Sequence, residues 1–188
     1  MYFTIYLLLV FLILYVSTPQ TGGGTRYKAF YIYPSEFKDE MITIIQKGRV
    51  WPTVFTPVKN PENADFTIKV VPRKQMDSML ITPEKVEYYP NSKKRIHFSY
   101  TVNGQHIYID EENWRMGVPE SGLSVKDYRQ YVLFHEIGHV LGYGHQPCLT
   151  KKCPIMYQMT RGPPTGYGQE GVELGPVDVK GLKLLKRL

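Results

Sequence analysis

The order of apolar and polar residues after residue 25 predicts a strand followed by a helix. Residues 26–34 (RYKAFYIYP) are rich in aromatic residues and end at a proline, which is typical of a strand. In residues 35–48 the apolar side chains recur at helical spacing, which predicts an amphipathic helix. Ser35 is the expected N-cap of this helix, and Gly48 is expected to end it.

Three further segments predict strands. Residues 50–58 contain two prolines, which favours an edge position because proline lacks the amide hydrogen that a central strand needs. Residues 64–72 form an apolar run that is typical of a strand. Residues 95–110 predict two antiparallel strands joined at Asn103-Gly104, a pair that favours the tight type I′ turn of a hairpin.

The longest helical pattern covers residues 125–142. Ser124 lies three residues before Asp127, which resembles the capping box that starts many helices. A loop with both cysteines and a stretch rich in proline and glycine follow the helix. Residues 176–188 predict a final helix, with an early aspartate and late basic residues in line with the helix dipole.

This order of elements predicts an α+β domain with α/β-like character, and the length of 188 residues suits one domain over residues 26–188. Hydrophobic residues make up 43% of the chain, which is enough for a globular core. The net charge of +6 and the pI of about 9.2 make nucleic acid worth considering as a partner. The basic residues are dispersed, however, so we expect solvated basic faces and no nucleic-acid binding.

Residues 1–16 carry no charge and are mostly apolar. They predict either a secretory signal peptide over residues 1–20 or a membrane anchor through residues 1–18. A bilayer-spanning helix needs about 20 apolar residues, so the run is short for an anchor. No lysine or arginine precedes the run and Pro19 follows the best cleavage site, which weakens the signal interpretation. The signal-peptide and the anchor interpretations both stay open, and a flexible tether over residues 21–25 is expected to follow in either case. Either interpretation places the domain on the non-cytosolic side, secreted or membrane-anchored.

The two cysteines of the chain, Cys148 and Cys153, are separated by four residues. In an oxidising compartment they would close a small surface loop as a disulfide. This prediction and the export predicted from the N-terminus support each other.

Three of the five histidines lie in the longest helical pattern or just after it. His135 and His139 are four residues apart, so on a helix they point the same way, about 6 Å apart along the axis. Two imidazoles so placed can bind one Zn²⁺. Glu136 lies about 100° round the helix from His135, outside the ligand row but able to reach a water on the metal.

His145 can join the other two histidines only if the chain leaves the helix and turns back. Gly142 can adopt the left-handed conformation that ends a helix, and Gly144 eases the return. Three neutral imidazoles leave a fourth zinc position open to water, as in catalytic sites. Zinc lowers the pKa of such a water to about 7, so Glu136 is the expected general base of peptide-bond hydrolysis.

The pattern His135-Glu136-x-x-His139-x-x-Gly142-x-x-His145 resembles the metzincin zinc signature at every fixed position. The resemblance implies a zincin-like fold, with a twisted mixed sheet, an active-site helix, a Met-turn and a C-terminal helix. It also implies the activity of a zinc metalloendopeptidase.

The same resemblance implies that Met156, eleven residues after His145, is the apolar Met-turn residue beneath the metal. The segment is also similar to an uncharacterised bacterial zincin-like domain family with a paired-cysteine loop. Astacin-like and serralysin-like metzincins have a tyrosine two residues after the methionine. This chain has Gln158 there and Tyr157 beside it, so Tyr157 is expected to pack or shape the pocket instead of contacting the metal.

In metzincins an edge strand before the zinc helix binds the protein or peptide substrate in extended form, and by analogy residues 95–110 would supply that edge. The enzyme is expected to be a monomer. One alternative is a catalytically silent zinc-containing domain that binds peptides or serves surface adhesion. Another is a closed, structural Cys₂His₂ site, which the cysteines could form only while reduced. The four ligands of such a site would be His139, His145, Cys148 and Cys153.

Overall fold

A twisted, mostly parallel sheet lies at the centre of the fold. The computed structural model describes residues 26–80 and 86–185. Within these ranges the strands are β1 (Arg26–Ile32), β2 (Thr53–Pro57), β3 (Phe66–Val71), β4 (Glu87–Tyr88), β5 (Arg95–Ile96), β6 (Tyr100–Val102) and β7 (His106–Asp110). The α-helices in the same ranges are α1 (Lys38–Lys47), α2 (Arg73–Leu80), α3 (Glu111–Met116) and α4 (Val125–Val140).

Across the described residues, the main sheet has five strands in the order β2-β1-β3-β7-β6. The first four are parallel neighbours, and β6 pairs antiparallel with β7 at one edge. The predicted α+β class is confirmed, and so is the edge position of β2. β4 and β5 form a separate antiparallel pair.

The hairpin of β6 and β7 turns at Asn103 and Gly104, as the sequence predicts. Both residues have positive φ, 53° and 65°, which the type I′ turn requires. The Gln105 N–H donates to the Val102 carbonyl at 3.1 Å and closes the turn. The hairpin is shorter than expected, because β6 begins at Tyr100 and the earlier residues of the segment pair with β4 as β5.

The hydrophobic core includes the inner side chains of the sheet together with α1 and α4. Phe30 of β1 stacks on Phe66 of β3, with ring centroids 5.9 Å apart. In α4, 10 of the 16 residues are buried, because this helix runs through the centre of the domain. Any polar side chain on its buried faces therefore needs a hydrogen-bond partner from the protein.

α1 begins later than predicted, and Ser35 does not cap it. The N-cap position is Phe37, which makes no side-chain capping bond. Phe37 is buried against Trp114, with ring centroids 6.2 Å apart, and this packing sets where the helix begins. Gly48 ends the helix as expected, and it must be small because a Cβ there would lie 2.0 Å from the ring of Phe134.

The predicted helix over residues 176–188 is wrong for the part that the structure describes. Only a single 3₁₀ turn forms, at Val179–Gly181, and the chain then becomes extended. Glycine is a poor helix residue, and the backbone beyond it finds other partners. Leu184 forms an antiparallel bridge with Tyr143, next to the end of α4. Residues 186–188 lie outside the described ranges.

α2 and α3, which the sequence pattern does not indicate, are joined by Arg73. Its guanidinium donates to both carboxylate oxygens of Asp110, at 2.8 and 3.1 Å, and to Asn113 Oδ1 at 2.7 Å. Asp110 is buried and caps α3 by accepting from the Asn113 backbone N–H. The Asn113 amide donates to the His97 carbonyl at 2.7 Å. This network holds the segment that leads into β6.

The predicted signal peptide or anchor and the tether, residues 1–25, lie outside the described ranges. In the part of the chain that the structure does describe, no helix is long and apolar enough to span a bilayer.

Candidate metal centre

Two histidines lie one turn apart on α4. The helix begins as predicted, with Ser124 Oγ accepting a hydrogen bond from the Asp127 N–H at 3.1 Å. The rings of His135 and His139 have centroids 4.9 Å apart. Their spacing of four residues on a regular helix places both on one side, facing the same cleft.

The chain reverses direction immediately after α4. Gly142 has φ of 92°, in the left-handed region that glycine tolerates best. Its N–H donates to the His139 carbonyl at 3.0 Å, and the Tyr143 N–H donates to the Gly138 carbonyl at 2.9 Å. This pair of bonds is a Schellman motif. Gly144 does not have a positive φ, and its missing side chain leaves room for Leu185.

The reversal brings His145 to the other two histidines. His145 Nε2 lies 3.2 Å from His139 Nε2, and one ligand nitrogen of each of the three rings lies within 4.8 Å of the others. Two nitrogens bound to one tetrahedral zinc at 2.0–2.1 Å would be about 3.3 Å apart. The His139–His145 separation matches this value, and the three rings form a group that could hold one cation. Imidazole suits Zn²⁺, Cu²⁺, Fe²⁺ or Ni²⁺.

Backbone carbonyls orient two of the three rings. The Nδ1–H of His135 donates to the Ile155 carbonyl at 2.8 Å, and the Nδ1–H of His139 donates to the Tyr143 carbonyl at 2.7 Å. With Nδ1 protonated in the neutral ring, Nε2 carries a free lone pair. Partners of this kind are typical of metal-binding histidines because they fix the tautomer and the ring plane.

The histidines are neutral at pH 7 in this environment. Burial, reinforced by the neighbouring His139, lowers the pKa of His135 well below its usual value. Burial also lowers the pKa of His139. Burial first, and then electrostatic interaction with His139 and Arg161, lower the pKa of His145 to about 4. Neutral imidazole is the form that binds a metal.

Glu136 is buried beside this group and faces the same cleft. Its Oε2 accepts a hydrogen bond from the hydroxyl of Thr101, on β6, at 2.7 Å. Burial raises the pKa of Glu136 to about 7, and the Thr101 hydrogen bond opposes this effect. The sequence pattern does not indicate the contribution of Thr101, because it comes from a strand 35 residues away.

Met156 is fully buried under α4. Its thioether packs against Gly138, on the turn between the two helical histidines. Trp51 packs against the same glycine, stacks on Tyr143 with ring centroids 5.1 Å apart and donates its indole N–H to the Phe134 carbonyl. Met156 thus belongs to a tight apolar layer beneath the helix.

The loop between His145 and Met156 is closed by a disulfide between Cys148 and Cys153, which confirms that predicted pairing. The oxidised cysteines cannot serve as metal ligands, so the closed Cys₂His₂ alternative is wrong. The Gln146 N–H donates to the Met156 carbonyl at 3.0 Å and draws the two ends of the loop together.

Two tyrosines lie close to the site without serving as metal ligands. The hydroxyl of Tyr157 donates to the Gly162 carbonyl at 2.8 Å, so this side chain packs in its own loop. The hydroxyl of Tyr131 donates to the Tyr157 carbonyl at 2.9 Å. Gln158, in contrast, lines the cleft.

The three histidines and Glu136 open onto a cleft of about 1220 Å³. Strand β6 and its flanking residues form one wall, with Phe98, Thr101 and Asn103 among the lining side chains. The hairpin that residues 95–110 were expected to contribute therefore borders the site. His97 and His106, which flank the hairpin turn, have separate partners. His97 lies 3.6 Å from Asp77, and His106 is hydrogen-bonded to Thr67 at 3.0 Å.

A family model described as "Protein of unknown function (DUF3152)" matches residues 45–165, well over half of the chain. The matched residues run from the end of α1 through the three histidines and the disulfide loop. No curated protein matches the chain. The chain therefore belongs to the family described as protein of unknown function, DUF3152.

Proposed function

We propose that this protein is a zinc-dependent endopeptidase of metzincin type. The observation that carries the proposal is the convergence of three neutral imidazoles beside a buried glutamate, in a cleft bordered by an edge strand. The resemblance of His135–His145 to the metzincin signature supports the same conclusion, as does the helix that carries its first two histidines.

The donor set fits zinc. His135, His139 and His145 would hold the ion through Nε2, and they line a cleft that would admit water and substrate. When bound, zinc supplies an activated water and a Lewis acid that polarises the carbonyl of a peptide bond. Met156 would provide the apolar floor beneath the site.

Glu136 is the proposed general base. A group that accepts and returns a proton works best when its pKa is near the working pH, and burial raises the pKa of Glu136 to about 7. The carboxylate would take a proton from the attacking water and pass it to the leaving amine. Because it sits in the same helical turn as His135, its distance from the reacting atoms would be set by the helix itself.

The substrate is proposed to bind in extended form along β6. Among the described residues, β6 has a partner strand on one side only, so its outer backbone groups can pair with a peptide. The disulfide agrees with an oxidising compartment, so we propose that the enzyme is secreted or anchored on the non-cytosolic side, where it acts as a monomer.

The test is hydrolysis of an unstructured protein and of a fluorogenic peptide library by the zinc-loaded protein, beside Glu136→Gln. We expect cleavage by the wild type, and at least a 100-fold lower rate with one zinc still bound in the variant. Equal rates would rule out Glu136 as the base. A wild type that binds zinc and peptide but cleaves nothing would favour the catalytically silent peptide-binding domain.

A further inference from the structure

Thr101 is the residue of the edge strand whose side chain reaches Glu136. Its hydroxyl lies 2.7 Å from Glu136 Oε2 and 3.0 Å from the Glu136 backbone oxygen. Among the described residues, no other side chain hydrogen-bonds to this carboxylate. One carboxylate oxygen is therefore held by the strand, and Oε1 has no such partner.

The register of the hairpin explains why this hydroxyl points at α4. Thr101 pairs with Ile107, which is fully buried, and side chains alternate between the two faces of a strand. Thr101 thus faces the core side of the sheet, towards α4, whereas its neighbours Tyr100 and Val102 face the opposite side. A shift of one residue in this register would remove the hydroxyl from Glu136.

We propose that Thr101 is a positioning residue that fixes the conformation of the Glu136 carboxylate for proton transfer; this inference rests on the proposed peptidase function. A buried carboxylate with no fixed partner could rotate about its last side-chain bonds. The Thr101 hydroxyl ties down Oε2 and leaves Oε1 to accept the proton. It also links the strand proposed to bind the substrate directly to the proposed base.

A merely structural role would be to satisfy a buried polar group. That role predicts lost stability, with the activity of the remaining folded protein unchanged. The positioning role predicts a lower kcat in folded, zinc-loaded protein, with KM unchanged, and rescue by any residue that keeps the hydroxyl.

The experiment compares Thr101→Val, which keeps the shape and removes the hydroxyl, with Thr101→Ser, which keeps the hydroxyl. Thr67→Val is the matched control. It removes a threonine hydroxyl from the same sheet, bonded to His106 and away from the cleft. Each zinc-loaded variant is assayed for kcat and KM on one fluorogenic peptide. Zinc content and thermal unfolding establish that the protein is loaded and folded.

A second readout does not need activity. Protein labelled with ¹³C at the glutamate carboxyl carbon gives a Glu136 resonance that is assigned by its loss in Glu136→Gln. We expect this resonance to move in Thr101→Val, and to stay near the wild-type position in Thr101→Ser and Thr67→Val.

We expect Thr101→Val to lower kcat by roughly 10-fold or more. A hydrogen bond to a charged group is strong enough for its loss to raise the activation free energy by the amount that a tenfold lower rate requires. Thr101→Ser should stay within about threefold of the wild type on the same grounds. Full kcat in Thr101→Val, or a serine variant as slow as the valine one, would overturn the inference. A wild type without hydrolysis would instead overturn the proposed function and, with it, any catalytic role of Thr101, while the carbon resonance would still report the contact.

Discussion

The thioether of Met156 lies so close to Gly138 that a Cβ on residue 138 would stand 2.3 Å from Sδ. The same Cβ would stand 2.7 Å from the ring of Trp51. Because Gly138 immediately precedes His139, its missing side chain lets the methionine and the tryptophan pack directly under the turn of α4 that carries two metal-binding candidates.

Gly138→Ala should therefore lower the stability of the fold and weaken zinc binding by the three histidines. The methionine can shift, but Trp51 is held by its stack on Tyr143 and its bond to Phe134, so the helix has to move. We expect a loss of about 1–3 kcal/mol in the free energy of unfolding, typical of overpacking, together with weaker zinc binding. Urea unfolding and zinc titration measure the two effects. The control is Gly181→Ala, where no atom of residues 26–80 or 86–185 lies within 4 Å of the added Cβ. Equal losses in both variants would contradict the packing explanation.

Each of the three histidines should be needed for zinc. In His145→Ala the two helical imidazoles remain but the loop ligand is lost, so we expect the zinc content after dialysis to fall from near one per chain to near none. His106→Ala should keep its zinc, because the side chain of this exposed histidine is hydrogen-bonded to Thr67, away from the cleft. Elemental analysis of both proteins measures the zinc content per chain, and equal contents in the two variants would contradict this prediction. Ligand binding also stabilises, by about 4 kcal/mol at 1,000 times the dissociation constant, so a chelator should lower the melting temperature of wild type and leave His145→Ala unchanged.

Removal of the disulfide should loosen the loop that joins His145 to Met156. In Cys148→Ser combined with Cys153→Ser, the entropy of closing so short a loop predicts a loss of about 2 kcal/mol. Zinc affinity should fall as well, because the loop adjoins a ligand. The stability and the zinc dissociation constant of the double variant, compared with wild type under oxidising conditions, measure this. A double variant with wild-type zinc affinity would show that other contacts hold His145 in place.

The extended segment after residue 182 should support the turn between α4 and His145 through its backbone. The Leu185 N–H donates to the Gly142 carbonyl at 2.5 Å, and the Gly144 N–H donates to the Lys183 carbonyl at 3.0 Å. Leu185→Pro removes one of these donors, whereas Leu185→Ala keeps it. We expect the proline variant to bind zinc roughly 10-fold more weakly, as for other losses around metal ligands, and the alanine variant to stay close to wild type. Isothermal titration with zinc compares the two, and similar losses in both would assign the effect to the side chain.

Local patterns predicted the parts of the site that are encoded locally. The spacing of His135 and His139 is a helix period, and Gly142 marks the left-handed residue that ends the helix. The partners that orient these groups could not be predicted, because they come from elsewhere in the chain. The Ile155 carbonyl and the Thr101 hydroxyl approach α4 only when the sheet and the loops pack around it.

The errors in the predicted helices have a similar cause. Ser35 has the chemistry of an N-cap, but the burial of Phe37 sets the start of α1. The apolar residues of 176–188 recur at helical spacing. In the structure, however, the backbone at Leu184 pairs with Tyr143. α2 was not predicted because its main anchor, the bond between Arg73 and Asp110, joins residues 37 positions apart.

The stack of Trp51 on Tyr143 gives the protein an optical reporter of its own. Tyr143 supplies the carbonyl that orients His139. Metal binding to the histidines should therefore change the environment of the Trp51 indole ring, which stacks on Tyr143. The chain has two tryptophans. The other one, Trp114, lies on α3, and we expect its fluorescence to stay constant when metal binds. Fluorescence at the red end of the excitation band should then follow metal uptake without any added dye.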